Sequence, residues 1–159
     1  MKHLPKHLQP RWRYLAVGLE AWPDADVDRG GFQRHLWYSA QNLLGDAASA
    51  ALDLRVLRFR FADGAGEAIV RTRRGEVDRA RAALACLDDV DGHELGVGVR
   101  GVSGTVRGCE EKYLGRAPEE NEESDVVFED ADRTAVRRDG RYDVRIGSAF
   151  AGATTLDFE

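Results

Sequence analysis

The segment 54–61 (LRVLRFRF) constrains the fold more than any other part of the chain, because its apolar and basic residues alternate. From Leu57 to Phe61 the apolar side chains fall on one face of an extended strand and the arginines on the other. A strand with one apolar face belongs to a sheet that other elements cover on that side. The turn signal ADGAG and the segment EAIVRTRR (67–74) follow directly, so the pattern predicts a β-hairpin.

Other periodic segments flank this hairpin in a regular order. Residues 11–20 alternate as a strand, and residues 28–44 carry apolar side chains at helical spacing before a stop at Gly45. A second helix is predicted over 76–90 and a fourth strand over 95–102. The resulting order βαββαβ predicts an α+β fold of the ferredoxin-like type, a sandwich of one antiparallel sheet with two helices on one face.

The C-terminal part of the chain differs in composition from the rest. A short helix is predicted over 109–116, and it closes a first domain of residues 1–116. Residues 117–132 (APEENEESDVVFEDAD) hold eight acidic residues and no basic one, and we interpret them as an acidic linker. Residues 133–159 are predicted to form a C-terminal tail, with one added strand as the alternative.

The overall charge of −5 at first argues against a nucleic-acid partner. The acidic stretch accounts for this excess, however, and the rest of the chain has more basic than acidic residues. Only three of the 23 basic residues are lysines, and arginine suits RNA because its planar group binds phosphate in a bidentate manner and stacks on bases. Abundant acids with few lysines resemble the proteomes of extreme halophiles, so the composition indicates a salt-adapted organism.

Neither metal binding nor membrane insertion is indicated. Cys86 and Cys109 have no Cys or His neighbours at ligand spacing, and the apolar surroundings of Cys86 predict a buried thiol in the second helix. Asp24, Asp26 and Asp28 alternate but lack the glycine and final glutamate of a calcium loop, so we interpret them as surface residues. No apolar run approaches the roughly 20 residues that cross a bilayer. We expect a cytoplasmic protein without a bound cofactor.

The most specific string for ligand contact is VSGTVRG (102–108), at the predicted end of the fourth strand. Ser103 and Thr105 offer hydroxyl donors, and Gly104 between them lets the backbone approach a phosphate or sugar closely. Arg107 adds a charge-assisted contact. The alternative is a turn whose hydroxyls bond only the local backbone.

Two further basic segments are candidates for RNA contact. The first is the entry to the first strand, with Lys6, Arg11, Trp12, Arg13 and Tyr14. The second is the end of the hairpin, with Arg71, Arg73 and Arg74. The basic residues would neutralise phosphates and the aromatic rings would stack on bases. The alternative is that both segments are solvated strand ends, with the aromatic rings packed into the core.

Together these segments resemble the archaeal ribonuclease P protein component 2 family, which is Pop5/Rpp14-like. The resemblance rests on the pair Arg13-Tyr14, on LLG (43–45) at the end of the first helix, on the strand LRVLRFRF and on SGTVR (103–107). These strings span about residues 1–116 in consistent order, and SGT followed by an aliphatic and a basic residue is the most distinctive one. The composition fits a haloarchaeal member, whereas the tail departs from the shorter members of the family.

The resemblance implies an RRM-like fold and a role in ribonuclease P, the ribonucleoprotein that removes the 5′ leader of precursor tRNA. It implies that the RNA subunit and its Mg²⁺ cleave the phosphodiester, while the protein supports the catalytic RNA with no catalytic residue of its own. Phe59 and Phe61 are expected to face the helices, so RNA contact is expected at loops and the N-terminus.

The same resemblance implies a set of partners. These are the ribonuclease P RNA, protein component 3 and the other protein subunits, with precursor tRNA contacted indirectly and a homodimer inside a heterotetramer as a further option. Trp37 and Tyr38 lie off the apolar stripe of the first helix, and they are either anchors for a protein partner or a cap on the core edge.

Two other classes of function stay open. A ferredoxin-like module that senses a small ligand at residues 103–105 would show ligand-dependent stability and no affinity for RNA. An assembly protein that binds only other proteins would associate with component 3 without changing RNA cleavage. A protein-only enzyme is the least supported class, because the sequence shows no pairing of a nucleophile with a base.

Overall fold

The computed structural model describes residues 4–115, 122–138, 140–147 and 149–158. The described helices are α1 (Arg29–Leu44), α2 (Asp46–Leu52), α3 (Val77–Ala85) and α4 (Val106–Tyr113). The described strands are β1 (Trp12–Ala21), β2 (Arg55–Ala62), β3 (Ala65–Arg73), β4 (Asp89–Val90), β5 (His93–Ser103), β6 (Glu122–Phe128), β7 (Ala131–Arg138), β8 (Arg141–Ile146) and β9 (Ala149–Ala153). Short 3-10 turns lie at Lys6–Leu8 and Thr155–Asp157.

A five-stranded sheet, the first sheet, is antiparallel and has the strand order β2-β3-β1-β5-β4. The predicted βαββαβ order is confirmed by β1, α1, β2, β3, α3 and β5. The second helix is shorter than predicted, because the chain leaves α3 at Ala85 and residues 89–90 pair with β5 as the short strand β4.

Helix α2 was not predicted from the sequence. Gly45 has a φ of +82°, a conformation that glycine adopts without strain, and it ends α1 and begins α2 at the same residue. No side chain caps the start of α2. The usual sequence signal for a helix start is therefore missing, although five of its seven residues are alanine or leucine.

The main core lies between the first sheet and helices α1 and α3. Leu15, Val17 and Leu19 of β1 point into it, and Phe32 of α1 and Leu84 of α3 meet them from the helix side. Two further rings, those of Phe59 and Phe61, pack against this cluster. The arginines that alternate with these two rings on β2 consequently lie on the opposite face of the sheet.

Helix α4 covers part of that opposite face, where the sequence predicted helices on one face only. Its Cys109 is buried against Ala16 of β1 and Ile69 of β3. Tyr113 lies so close to Gly101 that a Cβ on this glycine would stand 2.2 Å from the Tyr113 ring. The small residues of β1 and β5 thus provide the room in which α4 packs.

The two cysteines are placed differently from the prediction. Cys86 is exposed at the C-terminal end of α3, because the helix ends there and the side chain lies beyond its buried stripe. Cys109 is the buried thiol, and its Sγ lies 3.6 Å from the carbonyl oxygen of Tyr14. Burial, together with the negative charge of Glu110, raises the pKa of the Cys109 thiol.

We expect only Cys86 to react with N-ethylmaleimide in the folded protein. The thiolate is the reactive form, and the raised pKa and burial of Cys109 keep its thiol protonated and shielded. Mass spectrometry after a short exposure should show one adduct on the native chain and two in denaturant. A Cys86→Ser variant is the control and should give no native adduct, whereas rapid labelling of Cys109 in that variant would show that α4 does not stay packed on the sheet.

A second sheet follows with the strand order β6-β7-β8-β9. Residues 122–128, predicted as part of an acidic linker, form strand β6, and the tail contributes three strands instead of one. Residues 117–121, the first part of the predicted linker, lie outside the described residues, as does residue 116 at the end of the predicted first domain. The turn between β6 and β7 places Glu129 and Asp130 at φ values of +51° and +60°. Hairpin turns of this kind usually carry Asn-Gly or Asp-Gly, so the ordinary sequence signal was missing.

Arg138 of β7 joins the second sheet to the first. Its buried guanidinium donates from Nε to Asp143 Oδ2 (2.8 Å) and from Nη1 to the carbonyl oxygen of Gly64 (2.9 Å). A third bond runs from Nη2 to the carbonyl oxygen of Ala21. Beside it, the rings of Trp22 and Phe150 stack with centroids 5.4 Å apart. The second sheet therefore packs at the end of β1 and at the turn of the β2–β3 hairpin.

We expect Arg138→Met to destabilise the docking of the second sheet by about 3 kcal/mol, because the change leaves Asp143 without its buried partner and removes one donor from each of two carbonyl oxygens. Amide hydrogen exchange in β7 and β8 should accelerate. Arg137→Met is the matched control, since Arg137 is the exposed neighbour on the other face of β7. Equal exchange in the two variants would contradict the role assigned to Arg138.

No helix among the described residues is long and apolar enough to cross a membrane.

Candidate nucleic-acid interface

The three segments predicted to contact RNA converge at one end of the first sheet, here called the basic end. The strand pairing aligns Trp12 at the start of β1 with Arg73 at the end of β3. It also aligns Tyr14 with Ser103 at the end of β5. Segments that are far apart in sequence are adjacent because β1 lies between β3 and β5.

Trp12 holds two guanidinium groups at the basic end. The Cζ atom of Arg71 lies 3.7 Å from the centroid of the indole ring, and that of Arg73 lies 4.3 Å from it. Nη2 of Arg73 also lies 3.3 Å from Asp53 Oδ2. Nε of Arg71 is buried and has no hydrogen-bond partner among the described residues. Such cation–π contacts restrict the arginines without neutralising them. The Trp12 ring, for which base stacking stays a prediction, thus also orients two positive charges.

The turn at residues 103–105 links β5 to α4. Thr105 is the N-cap of α4, and its Oγ1 accepts a hydrogen bond from the amide of Gly108 (3.0 Å). Ser103 Oγ accepts from the amide of Thr105 (3.3 Å). These are the local backbone bonds of the alternative interpretation, but each hydroxyl uses only acceptor capacity in them and keeps its O–H as a donor.

The side chains around this turn differ in accessibility. Gly104 and Thr105 are exposed, and Arg13 Nη1 would lie 3.7 Å from a Cβ at Gly104. Arg13 also donates from Nη1 to the carbonyl oxygen of Trp12 (3.0 Å). Tyr14 is partly buried in the apolar cluster under α4, so much of its ring is occupied by contacts inside the protein.

Three other predicted residues lie on the surface near β1 or before it. The main-chain amide of Arg74 donates to the carbonyl oxygen of Arg11 (2.9 Å), which fixes both exposed residues at the basic end. Lys6 lies in the exposed 3-10 turn that precedes β1.

Arg107 extends from the first turn of α4. Its side chain is 87% exposed, and its Nε donates to Glu111 Oε1 at 2.8 Å, one helical turn further on. An exposed ion pair of this spacing contributes only about 0.3–0.5 kcal/mol. Exchanging the Glu111 carboxylate for a phosphate therefore costs little, and Arg107 is available for an external partner.

Two of the acidic residues that were considered as metal ligands have other contacts in the structure. Within the described residues, no group of three or more His, Cys, Asp or Glu side chains could hold a metal ion. Asp28 caps α1 by accepting from the amide of Gly31 (2.6 Å), and Asp24 lies 3.8 Å from Arg145. Asp24 and Asp28 are exposed, as the sequence predicts, and each has a contact with another part of the protein.

Arg55 was not among the predicted residues, although the pairing of β2 with β3 places it directly beside Arg71. Regular alternation assigns Arg55 to the face opposite Arg58, because the two arginines are three positions apart and successive side chains of a strand point to opposite faces. An irregularity between Val56 and Arg58 shifts the register and brings both arginines to the same face. A bulge of this kind has no reliable signal in a single sequence.

We expect Arg107→Ala to weaken binding to ribonuclease P RNA several-fold and to reduce the slope of log K against log salt by about one, since one phosphate contact is lost. Filter binding or fluorescence anisotropy over a range of KCl concentrations measures both quantities. Glu111→Gln is the matched control, because it removes the ion pair but keeps the arginine. An unchanged slope for Arg107→Ala would exclude Arg107 from the interface.

Comparison with known proteins gives a consistent family. The sequence model of the Rpp14/Pop5 family matches residues 13–114. Ribonuclease P protein component 2 of Natronomonas pharaonis is 66% identical over 157 residues, covering 99% of this chain and 98% of the relative. The protein of the same name from Halorubrum lacusprofundi is 61% identical over 159 residues, with all of both chains covered.

A more distant relative covers less of the chain. Ribonuclease P protein component 2 of Methanosarcina acetivorans is 38% identical over 114 residues, which is 72% of this chain and 82% of that protein. The family match ends one residue after α4, so the second sheet lies outside it. Among solved structures, LarC2, the C-terminal domain of a cyclometallase, has a TM-score of 0.24 at 9% identity over 92% of this chain and 82% of that one, a likeness too weak to bear on the fold.

Proposed function

The chain belongs to the Rpp14/Pop5 family, and from this membership we propose that it acts as a protein subunit of ribonuclease P in 5′ maturation of precursor tRNA. The structural observation that carries the proposal is the convergence of three arginine-bearing segments on the basic end. Its fixed guanidinium groups and free hydroxyl donors match the phosphate and sugar oxygens of a folded RNA. The family match favours this function over a ligand-sensing or purely protein-binding module.

The proposed role is support of a catalytic RNA. The RNA and its Mg²⁺ would carry out the hydrolysis, with the metal positioning the attacking and leaving oxygens. Arginines at the basic end would lower the repulsion between RNA segments that must approach each other, and the rigid sheet would fix the distances between them. In this role the protein lowers the Mg²⁺ concentration that the RNA needs, and it needs no nucleophile of its own.

The proposed protein partners are component 3 and the other subunits, with a homodimer inside a heterotetramer as one arrangement and the cytoplasm as the location. Helix α1 offers a surface for such contacts, because Trp37 and Tyr38 are 45% and 56% exposed. The indole Nε1 of Trp37 donates to the carbonyl oxygen of Leu54 (2.8 Å), which fixes the ring with part of its surface in solvent. Ordered, half-exposed aromatic rings are typical anchors of protein interfaces.

Reconstitution tests this function directly. Precursor tRNA cleavage by the ribonuclease P RNA of the same organism is measured in high KCl at limiting Mg²⁺, with component 3 present and this chain either added or omitted. We expect the rate to rise at least tenfold when both proteins are present and the Mg²⁺ requirement to fall. Raising Mg²⁺ should reduce the difference, because the metal then provides the screening that the protein supplies.

The controls separate this role from simple assembly. Each protein alone with the RNA should give a smaller effect than the pair. If the pair forms but omission of this chain leaves the rate unchanged at every Mg²⁺ concentration, the proposed support of the catalytic RNA is wrong, and a protein-binding module becomes the better interpretation.

A further inference from the structure

Strand β2 presents arginines on the face of the first sheet that is opposite α1 and α3. Phe59 and Phe61 pack toward the core. Arg58, which precedes Phe59, and Arg60, which lies between the two rings, therefore face the other way. The register shift after Val56 adds Arg55 to the same face, beside Arg71 of β3. We call these four residues, Arg55, Arg58, Arg60 and Arg71, the arginine face.

Two side chains of α1 hold the backbone at the point where the register shifts. Gln33 Oε1 accepts from the amide of Val56 (2.7 Å), and this glutamine is buried. Arg29 donates from Nε and Nη2 to the carbonyl oxygen of Val56 at 3.0 and 2.7 Å. Both main-chain polar groups of Val56 are thus satisfied from the helix side. Buried and partly buried contacts of Val56 therefore fix the position of Arg55 relative to Arg58.

Helix α4 borders the arginine face without covering it. The helix packs on β1 and β5, and it touches β2 through Glu110, whose Oε1 lies 3.3 Å from Arg58 Nε. Arg58 remains 65% exposed and Arg60 76% exposed. The exposed pair of Arg58 with Glu110 contributes at most about 1 kcal/mol to stability, so an incoming phosphate can replace the Glu110 carboxylate.

Glu67 lowers the net positive charge at one end of the arginine face. Burial opposes its ionisation, but hydrogen bonds from Arg100, from the amide of Gly115 and from Arg60 outweigh burial and hold the Glu67 pKa below its ordinary value. Its carboxylate lies 2.6 Å from Arg100 and 3.0 Å from Arg60. Because Glu67 stays ionised at neutral pH, it offsets the charge at the Arg60 end. Among the described residues, Arg55 and Arg71 have no acidic partner, so the positive charge is greatest there, next to the basic end.

The chemistry of this face fits the RNA backbone. All four cations are arginines in a chain whose net charge is −5, and alternate residues of a strand stand about 7 Å apart, comparable with adjacent phosphates of one RNA strand. The aromatic side chains of β2 point into the core, so this strand contributes guanidinium groups and no base-stacking ring to the face. A surface of this type holds phosphates by bidentate contacts and does not read sequence.

We propose that the arginine face is a second RNA-binding surface, which continues the basic end across the part of the first sheet that no described residue covers and binds backbone phosphates of the ribonuclease P RNA. The inference rests on the proposed function and adds residues that neither the motifs nor the basic end includes. RNA bound at the basic end would pass along β2 beside α4, so that one strand contacts both surfaces.

The test compares two triple variants of equal charge change. Arg55→Gln, Arg58→Gln and Arg60→Gln together remove the β2 arginines and keep their length and polarity. The matched control replaces three exposed arginines on the helix side, Arg34, Arg79 and Arg81, by glutamine. Binding of each full-length protein to the ribonuclease P RNA is measured from low to high KCl, and circular dichroism checks that both variants are folded.

We expect the β2 variant to lose at least tenfold in affinity at moderate salt and to show a slope of log K against log salt that is smaller by about two to three. The control variant should match the wild type in slope. Identical affinity and slope for the two triple variants would overturn the proposal. A β2 variant that binds RNA normally but no longer assembles with component 3 would also overturn it, because the face would then bind protein.

The same measurements separate this inference from the proposed function. If the wild type binds the RNA and stimulates cleavage while the β2 variant behaves as the control does, only the arginine face is excluded. If the wild type neither binds the RNA nor stimulates cleavage, both the proposed function and the arginine face are excluded.

Discussion

The structure depends on the burial of β1 from both sides. Leu15, Ala16 and Val17 are fully buried, although they point alternately to opposite faces of the sheet. Helices α1 and α3 cover one face and α4 covers the other, and β3 and β5 satisfy the backbone on either side. A central strand with this environment cannot shift by one residue, because the leucine and valine side chains would then occupy the space that only alanine and glycine leave for α4.

Because its register is fixed, β1 places different groups of residues at its two ends. At Trp12 it gathers the arginines and the 103–105 turn, and at Ala21 it accepts the bond from Arg138 that anchors the second sheet. The exposed acids of β6 and of the β6–β7 turn therefore belong to a unit attached at the end of β1 that is opposite the basic end. A chain with a net negative charge can in this way present a positive surface to RNA, since its charges are segregated and not mixed.

The sequence predicted the first sheet well because its information is local. Alternation in β1 and β2, the stop at Gly45 and the hydroxyl-rich turn each depend on a few adjacent residues, and the order of these elements restricts the topology to few choices. It could not predict the opposite placement of α4, which depends on small residues at Ala16 and Gly101 that meet only in the folded sheet. The thiol of Cys86 was misplaced because the end of α3 is set by the pairing of β4 with β5. At the candidate site, strand pairing brings the predicted segments together. The face on which Arg55 lies could not be predicted, because it depends on a bulge that Gln33 of α1 holds in place.

The attachment of the second sheet has a consequence for how such a unit is acquired in evolution. The polar part of the contact joins Arg138 to two carbonyl oxygens, and every amino acid supplies a carbonyl oxygen. The first sheet needs no dedicated side chain to receive this arginine, only two carbonyl oxygens that lie close together at the end of β1 and at the β2–β3 turn, although that of Gly64 also accepts from the amide of Ala21 (2.8 Å). The appended strands can therefore be gained or lost without a new polar side chain in the first sheet to receive Arg138. This is compatible with a family match that ends just after α4 and with relatives that align over the whole chain.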